Sequence, residues 1–238
     1  MRIVILFILI SLSGFCQKQK PKELFLKLKT AQTDTQKINI LNSLTKLYID
    51  INIDSAILFN KQAIQLVSFK KNEVYSYSPL SYKALIFRKK KNSDSALACI
   101  NYAFNIAKKL GNKVDIANAY NLTGTIYEQL NKQDSALKNY NEALRLSRLI
   151  NDKKEMLSSY LHLGIHFKKK DNLTSALQNL LEAMKISEEL KDTSTIFTTC
   201  INLGTMYERT QDHAKAMQCY QKALFIAKHD PDKDEDDL

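Results

Sequence analysis

His162 and His166 stand four residues apart, a spacing at which one helical face can present two imidazoles to a metal ion. A stable site needs further donors, and no third ligand lies nearby in the sequence. No acid follows His162 as it would in a zinc-protease pattern, so no metal is expected. Three cysteines lie beyond position 16: Cys99, Cys200 and Cys219. Their odd number argues against a disulfide framework, and each reads as a small buried hydrophobe. The chain has five glycines, none clustered, so no loop is available to cradle a phosphate. Nothing has the form of a nucleophile–base–acid series, a paired-carboxylate centre or a dinucleotide motif. No cofactor and no enzymatic activity are expected.

The formal net charge is +10. Residues 230–238 hold six acids and one lysine, so the surplus on residues 17–229 is larger, at +14. A basic body raises the question of nucleic acid. The cations are scattered, however. The densest groups, Arg88–Lys91 and Lys168–Lys170, fit solvated helix ends, where cations are favoured. No nucleic-acid partner is expected.

The elements that carry these residues follow from one period. Ala56, Ala96, Ala136, Ala176 and Ala216 recur every forty residues, and Ala63, Ala103, Ala143, Ala183 and Ala223 follow seven residues after each. A fixed period of this length marks a stack of repeated supersecondary units. In the copy at residues 113–152, Ala119, Tyr120, Leu122, Gly124, Ile126 and Tyr127 precede a polar turn at residues 131–134. Ala136, Leu137, Tyr140, Ala143, Leu144 and Leu146 follow it. Both halves space apolar residues by three and four, so each unit is expected to be a helical hairpin. Asn52, Asn92, Asn172 and Asp212 can cap the second helices; Lys132 stands in that place in the middle copy, where Asn131 or Asp134 is the expected cap. Gly124, Gly164 and Gly204, with Ala84 in their place one copy earlier, are expected to face the alanines twelve residues on. Phe87, Tyr127, Phe167 and Tyr207 would fill the space beside them.

These residues resemble the tetratricopeptide repeat, whose pattern is Trp-x2-Leu-Gly-x2-Tyr, then Ala-x3-Phe, then Ala. The last copy matches with Leu203-Gly204, Tyr207, Ala216, Tyr220 and Ala223. The fourth matches with Tyr160, Leu163-Gly164, Phe167, Ala176 and Ala183, and the third with Tyr120, Gly124, Tyr127, Ala136, Tyr140 and Ala143. The second keeps Ala84, Phe87, Ala96 and Ala103, and the first keeps Leu44, Leu47, Ala56 and Ala63 without a glycine. No copy has the tryptophan or the closing proline. The resemblance implies an all-α, right-handed α-solenoid of about five hairpins, at residues 33–72, 73–112, 113–152, 153–192 and 193–229. It also implies a protein or peptide partner held in a groove lined by the first helices. The implied groove positions are Ser81, Leu85 and Arg88; Asn121, Thr125 and Glu128; Leu161, Ile165 and Lys168; and Ile201, Thr205 and Glu208. Family members that clamp a peptide carboxylate use paired lysine and asparagine there. Ser81 with Leu85 and Asn121 with Thr125 do not reproduce that pair.

The ends differ from the body. Arg2, the apolar run Ile3–Ile10 and the small residues before Cys16 describe a secretory signal, residues 1–16, too short to span a bilayer comfortably. Cleavage after Cys16 is expected; lipidation of Cys16 is the alternative, and Phe15 counts against it. The protein is therefore expected outside the cytoplasm, in a bacterial periplasm or envelope, touching membrane only through that segment or a lipid. Residues 17–32 form a polar lead with one short helix in which Leu24 and Leu28 share a face. Residues 230–238 are too charged to pack. The last hairpin either leaves Met217, Tyr220 and Leu224 uncovered, an edge suited to a partner or a second copy, or turns Tyr220 and Leu224 inward within itself and exposes little. Long-repeat arrays behind a signal also resemble the sensor portions of bacterial histidine kinases and transcription regulators, so a stand-alone or shortened sensor is the second reading.

Overall fold

The computed structural model describes residues 19–70 and 73–229, and every regular element among them is helical. The expected signal segment with Cys16 and the acidic residues 230–238 lie outside these residues. The helices are α1 (Gln19–Thr30), α2 (Asp34–Ile51), α3 (Ile53–Lys70), α4 (Tyr77–Lys89), α5 (Ser93–Lys109), α6 (Lys113–Gln129), α7 (Gln133–Leu149), α8 (Lys153–Lys169), α9 (Leu173–Glu189), α10 (Thr193–Arg209) and α11 (His213–Lys228). In the first unit α2 pairs with α3 and α4 packs on both; in the second, α6 pairs with α7, α8 with α9 and α10 with α11. A short 3₁₀ turn, Glu73–Tyr75, precedes α4. No described helix is long and apolar enough to cross a membrane. The chain divides into two compact units, one up to Cys99 and the other Ile100–Lys228.

The turns share one geometry. Lys91, Gly111, Asn131, Asn151, Asp171, Lys191 and Gln211 all have φ between 53° and 66°, at intervals of twenty residues. This left-handed position lets the next amide reach back over the helix end. Lys132 N–H donates to Tyr127 O at 2.9 Å, Asn172 N–H to Phe167 O at 3.0 Å and Asp212 N–H to Tyr207 O at 2.9 Å. The aromatic residue of the repeat thus supplies the carbonyl that closes its own helix. Glycine occupies only one of the seven positions, although other residues are strained there.

The next helix begins at once, under a side-chain cap. Asn52 accepts from Ser55 N–H, Asn92 from Ser95, Asn172 from Ser175 and Asp212 from Lys215, at 2.9–3.1 Å. Asn112, Asp152 and Asp192 do the same for first helices. Helix α7 departs from the expectation. Its cap position is Lys132, with no side-chain bond to the backbone, and Asn131 instead accepts from the Gln133 side chain at 3.0 Å. Asn131 is held in the left-handed turn one residue too early to cap.

In the first unit, Thr33 and Gln36 form a reciprocal capping box at the start of α2. Helix α1 packs on α2, as the leucine pair suggested, with Leu24 and Leu28 half-buried. The ring of Phe25 joins them, edge-on to Tyr48 and Phe59 with centroids 6.4 and 5.8 Å away. Ile49, Ala56 and Ile86 form the core between the first two hairpins, and the Asn60 side chain donates to Pro79 O at 2.8 Å.

In the second unit the repeat alanines are closed to water, Ala136, Ala143, Ala176, Ala183 and Ala223 completely so. The glycines are packed differently from the expectation. A methyl group on Gly124 would lie 2.5 Å from the Tyr140 ring; on Gly204, 2.5 Å from the Tyr220 ring; on Gly164, 2.7 Å from Leu180 Cγ. The glycine therefore faces the large residue sixteen positions on, not the alanine twelve on. The missing side chain is the seat of that large residue.

Candidate partner-binding site

Helices α6, α8 and α10 lie side by side in the second unit, and much of their expected groove chemistry is engaged between them. Asn121 is 2% exposed. Its Nδ2 donates to Ser159 Oγ at 3.0 Å, and Asn118 and Asn121 both reach toward the Glu155 carboxylate at 3.4 Å. Asn121 thus joins two hairpins and offers nothing to a partner. Ser81, in the first unit, is likewise buried and donates to Ser78 O at 2.8 Å. These two positions are corrected from groove to interior.

Glu128 is also enclosed. One carboxylate oxygen is bonded to His166 Nδ1 and the other to Lys169 Nζ at 3.2 Å. Burial alone would raise its pKa, but the bonds and charges of His166 and Lys169 outweigh that and hold the carboxyl below its ordinary range. His162 stacks on Tyr140, with centroids 5.3 Å apart, and His166 meets the same ring edge-on at 6.2 Å while bonding Glu128. No group of three His, Cys, Asp or Glu among the described residues is placed to hold a metal.

At the opposite end of these helices the carboxyls of Asp115 and Glu155 are desolvated. Burial pushes Asp115 up to about 6 and raises Glu155, the latter against its bonds from Asn118 and Asn121. Burial raises Cys99 and Cys219 and pushes Cys200 up to about 11. All three are free thiols, protonated at neutral pH and poor nucleophiles.

An accessible strip remains between these polar ties. Leu161 and Ile165 on α8 and Ile201 on α10 are half-buried. Thr125 and Thr205 flank them, also half-buried, with hydroxyls turned back to Leu122 O and Ile201 O at 2.8 Å. The strip ends at Lys168, whose Nζ bonds the neutral amide oxygen of Asn202. Burial, then the charges of Lys169 and Arg209, lower the Lys168 pKa. Glu208 is exposed beyond it. In the first unit Leu85 packs on the Ile49–Ala56–Ile86 core and Arg88 is half-buried, its Nε enclosed without a bonded partner.

At the far edge, Tyr220 turns into its own hairpin over Gly204 and is half-buried. Met217 and Leu224 stay open, at 58% and 38% exposure, and Phe225 joins them at 61%. Phe225 was missed in the sequence because its repeat equivalents are the polar Asn105, Arg145 and Lys185.

Hairpins joined by small-residue stripes, with their polar groups engaged in stacking, define a helical repeat protein built to present surface. Residues 75–148 and 155–229 match the tetratricopeptide repeat family, and the chain belongs to it. A comparison with curated proteins gives no match. Among solved structures, BtubC from P. vanneervenii is similar at 20% identity and TM-score 0.63, over 91% of this chain and 88% of that one. A signal transduction ATPase with a tetratricopeptide repeat sensor, from Pyrococcus horikoshii, is similar at 19% identity and TM-score 0.63, over 83% of this chain and 31% of that one. A Rap protein complexed with competence and sporulation factor is similar at 14% identity and TM-score 0.65, over 89% and 72%. These likenesses are of fold.

Proposed function

We propose that this chain is an exported, non-enzymatic scaffold that holds a protein or peptide partner against the first helices of its repeats. One observation carries the reading. The polar groups between α6, α8 and α10 are matched within the array, while Leu161, Ile165 and Ile201 form an apolar strip that is only half covered. Such a strip between fixed walls gains from burial, at about 25 cal/mol per Å² of apolar surface. The Rap complex of similar fold is in keeping with a bound partner. A second reading, an input module of a signalling system, draws on the fold shared with the sensor of the signal transduction ATPase. The experiment is a crosslinked pull-down from the native cell envelope with wild type, Ile165→Glu and Ile201→Glu. A species captured by wild type and lost with both variants supports the strip as the site. Identical captures from all three overturn it.

A further inference from the structure

We infer that Lys168 holds an acidic side chain, Asp or Glu, of the bound partner, and that this side chain ends an extended segment whose apolar residues cover Leu161 and Ile165. The inference rests on the scaffold reading and names the chemistry that its site selects.

Two successive joints of the array treat charge differently. Glu128 and Lys168 stand forty residues apart, at one position of the repeat. Glu128 is matched by the next hairpin: one oxygen is bonded to His166 and the other to Lys169 at 3.2 Å. One repeat later the equivalents of His166 and Lys169 are Met206 and Arg209. A cation thus stands where Lys168 would need an acid. Arg209 is itself engaged, donating to the main-chain oxygen of Lys168 at 3.2 Å and pairing with Asp171. Glu208 lies beside the Tyr220 hydroxyl. Lys168 is left with the amide oxygen of Asn202, a neutral acceptor. Burial, then the charges of Lys169 and Arg209, disfavour its ammonium, and no acid offsets them. A half-buried ammonium so placed gains from a charge-assisted bond to an incoming carboxylate.

The carboxylate reaches Lys168 along the apolar strip. Leu161, Ile165 and Lys168 follow one face of α8 at i, i+4 and i+7. The two apolar residues are therefore about 6 Å apart along the helix, with Lys168 about 4.5 Å beyond. In an extended chain, alternate residues share a face and lie about 7 Å apart. A segment reading apolar, x, apolar, x, acid matches that spacing. Ile201, beside Asn202 on α10, walls the strip on its other side. A chain-terminal carboxylate is a poorer match. Asn202 is 8% exposed and its Nδ2 donates to Thr198 O at 3.0 Å, so it turns no donor toward the groove. Lys168 acts without a partnering asparagine, which suits one side-chain carboxylate.

The probes are three fluorescent peptides, labelled at the N-terminus. The first is Ser-Leu-Ser-Leu-Ser-Glu-Ser with an amidated C-terminus. The second has Gln for Glu, and the third is the Gln peptide with a free C-terminal carboxylate. Binding to the full chain is read by fluorescence anisotropy. The Glu peptide should bind at least about fivefold tighter than its Gln counterpart, and the advantage should shrink as salt rises. Lys168→Gln should remove the advantage and leave the Gln peptide unchanged, while Lys168→Arg should keep it. Lys168→Gln should melt no lower than wild type, since it removes a charge that has no acid beside it. Equal affinities of the Glu and Gln peptides, or no binding of the Glu peptide, overturn the inference. So does tighter binding of the free carboxylate than of the Glu side chain, which would assign a terminal clamp. A Lys168→Gln protein that melts well below wild type with the Glu preference intact would assign Lys168 to the joint between hairpins, and also overturns it. Ile165→Glu tests the scaffold reading separately. Two peptides that bind wild type equally and are both lost with this variant leave that reading standing and overturn only the role of Lys168.

Discussion

His166 Nδ1 is bonded to the carboxylate of Glu128, thirty-eight residues earlier, and both side chains are nearly closed to water. The pair ties the third hairpin to the fourth. Removing one member leaves the other enclosed without its partner, which costs more than the bond itself contributes. His166→Ala and Glu128→Gln should each destabilise the fold, and the double variant by clearly less than their sum. Urea unfolding of the four proteins gives the coupling, expected within about 0.5–3 kcal/mol. Additive losses would mean that the two side chains do not act together.

The same carboxylate sets a pH dependence. Its pKa is lowered on folding from the ordinary 4.5, so its contribution is complete above that value and is lost as pH falls through the folded value. Asp115 acts in the opposite sense. Burial raises it from 3.8 to about 6, so its ionised form opposes folding above pH 6 and has no such effect below 3.8. Asp115→Asn should therefore raise the unfolding midpoint at pH 7.5 and bring no gain at pH 3.5. A gain that does not change with pH would show that the charge is not its cause.

Helix α7 lacks the cap that its neighbours have. Lys132→Asn places an acceptor where Asn92 and Asn172 already work, and should stabilise by about 1 kcal/mol. Chemical denaturation against wild type checks it. No change would indicate that the preceding left-handed Asn131 holds the side chain out of reach.

Gly164 is the seat of Leu180. Gly164→Leu should overpack the fourth hairpin and cost about 1–3 kcal/mol, while Lys170→Ala at an exposed turn should change little. Thermal melts of the two variants compare them directly. Equal midpoints would move the close approach elsewhere.

The mature protein should begin near Gln17 and be found outside the cytoplasm, given Arg2, the apolar run to Ile10 and the small residues before Cys16. N-terminal sequencing of protein from the native host reads the outcome. A chain beginning at a lipid-modified Cys16 would replace release with anchoring, and an intact Met1 in the cytosol would exclude export.

The hairpins were legible because alanine and glycine recur with a fixed period, and only helical packing makes small residues obligatory at such intervals. The glycine's true neighbour was not, since Ala136 and Tyr140 lie on adjacent turns and spacing alone does not say which one faces Gly124. Asn121 was read as a groove residue because its number along the helix points inward. Ser159, thirty-eight residues later, turns that position into a joint. The left-handed turns were hidden for a chemical reason: lysine, asparagine, aspartate and glutamine occupy six of the seven, and only Gly111 announces the geometry.

Those seven positions have a consequence for how such a chain can change length. From Lys91 to Gln211 each helix and its turn measure the same twenty residues, so every joint repeats the last. Deleting one residue inside any of these helices would rotate all that follows in it by about 100° and turn its apolar row off the core. Adding or removing a whole hairpin would leave every remaining joint in phase. Length in this array is therefore quantised: the chain tolerates change in steps of forty residues and resists it in steps of one.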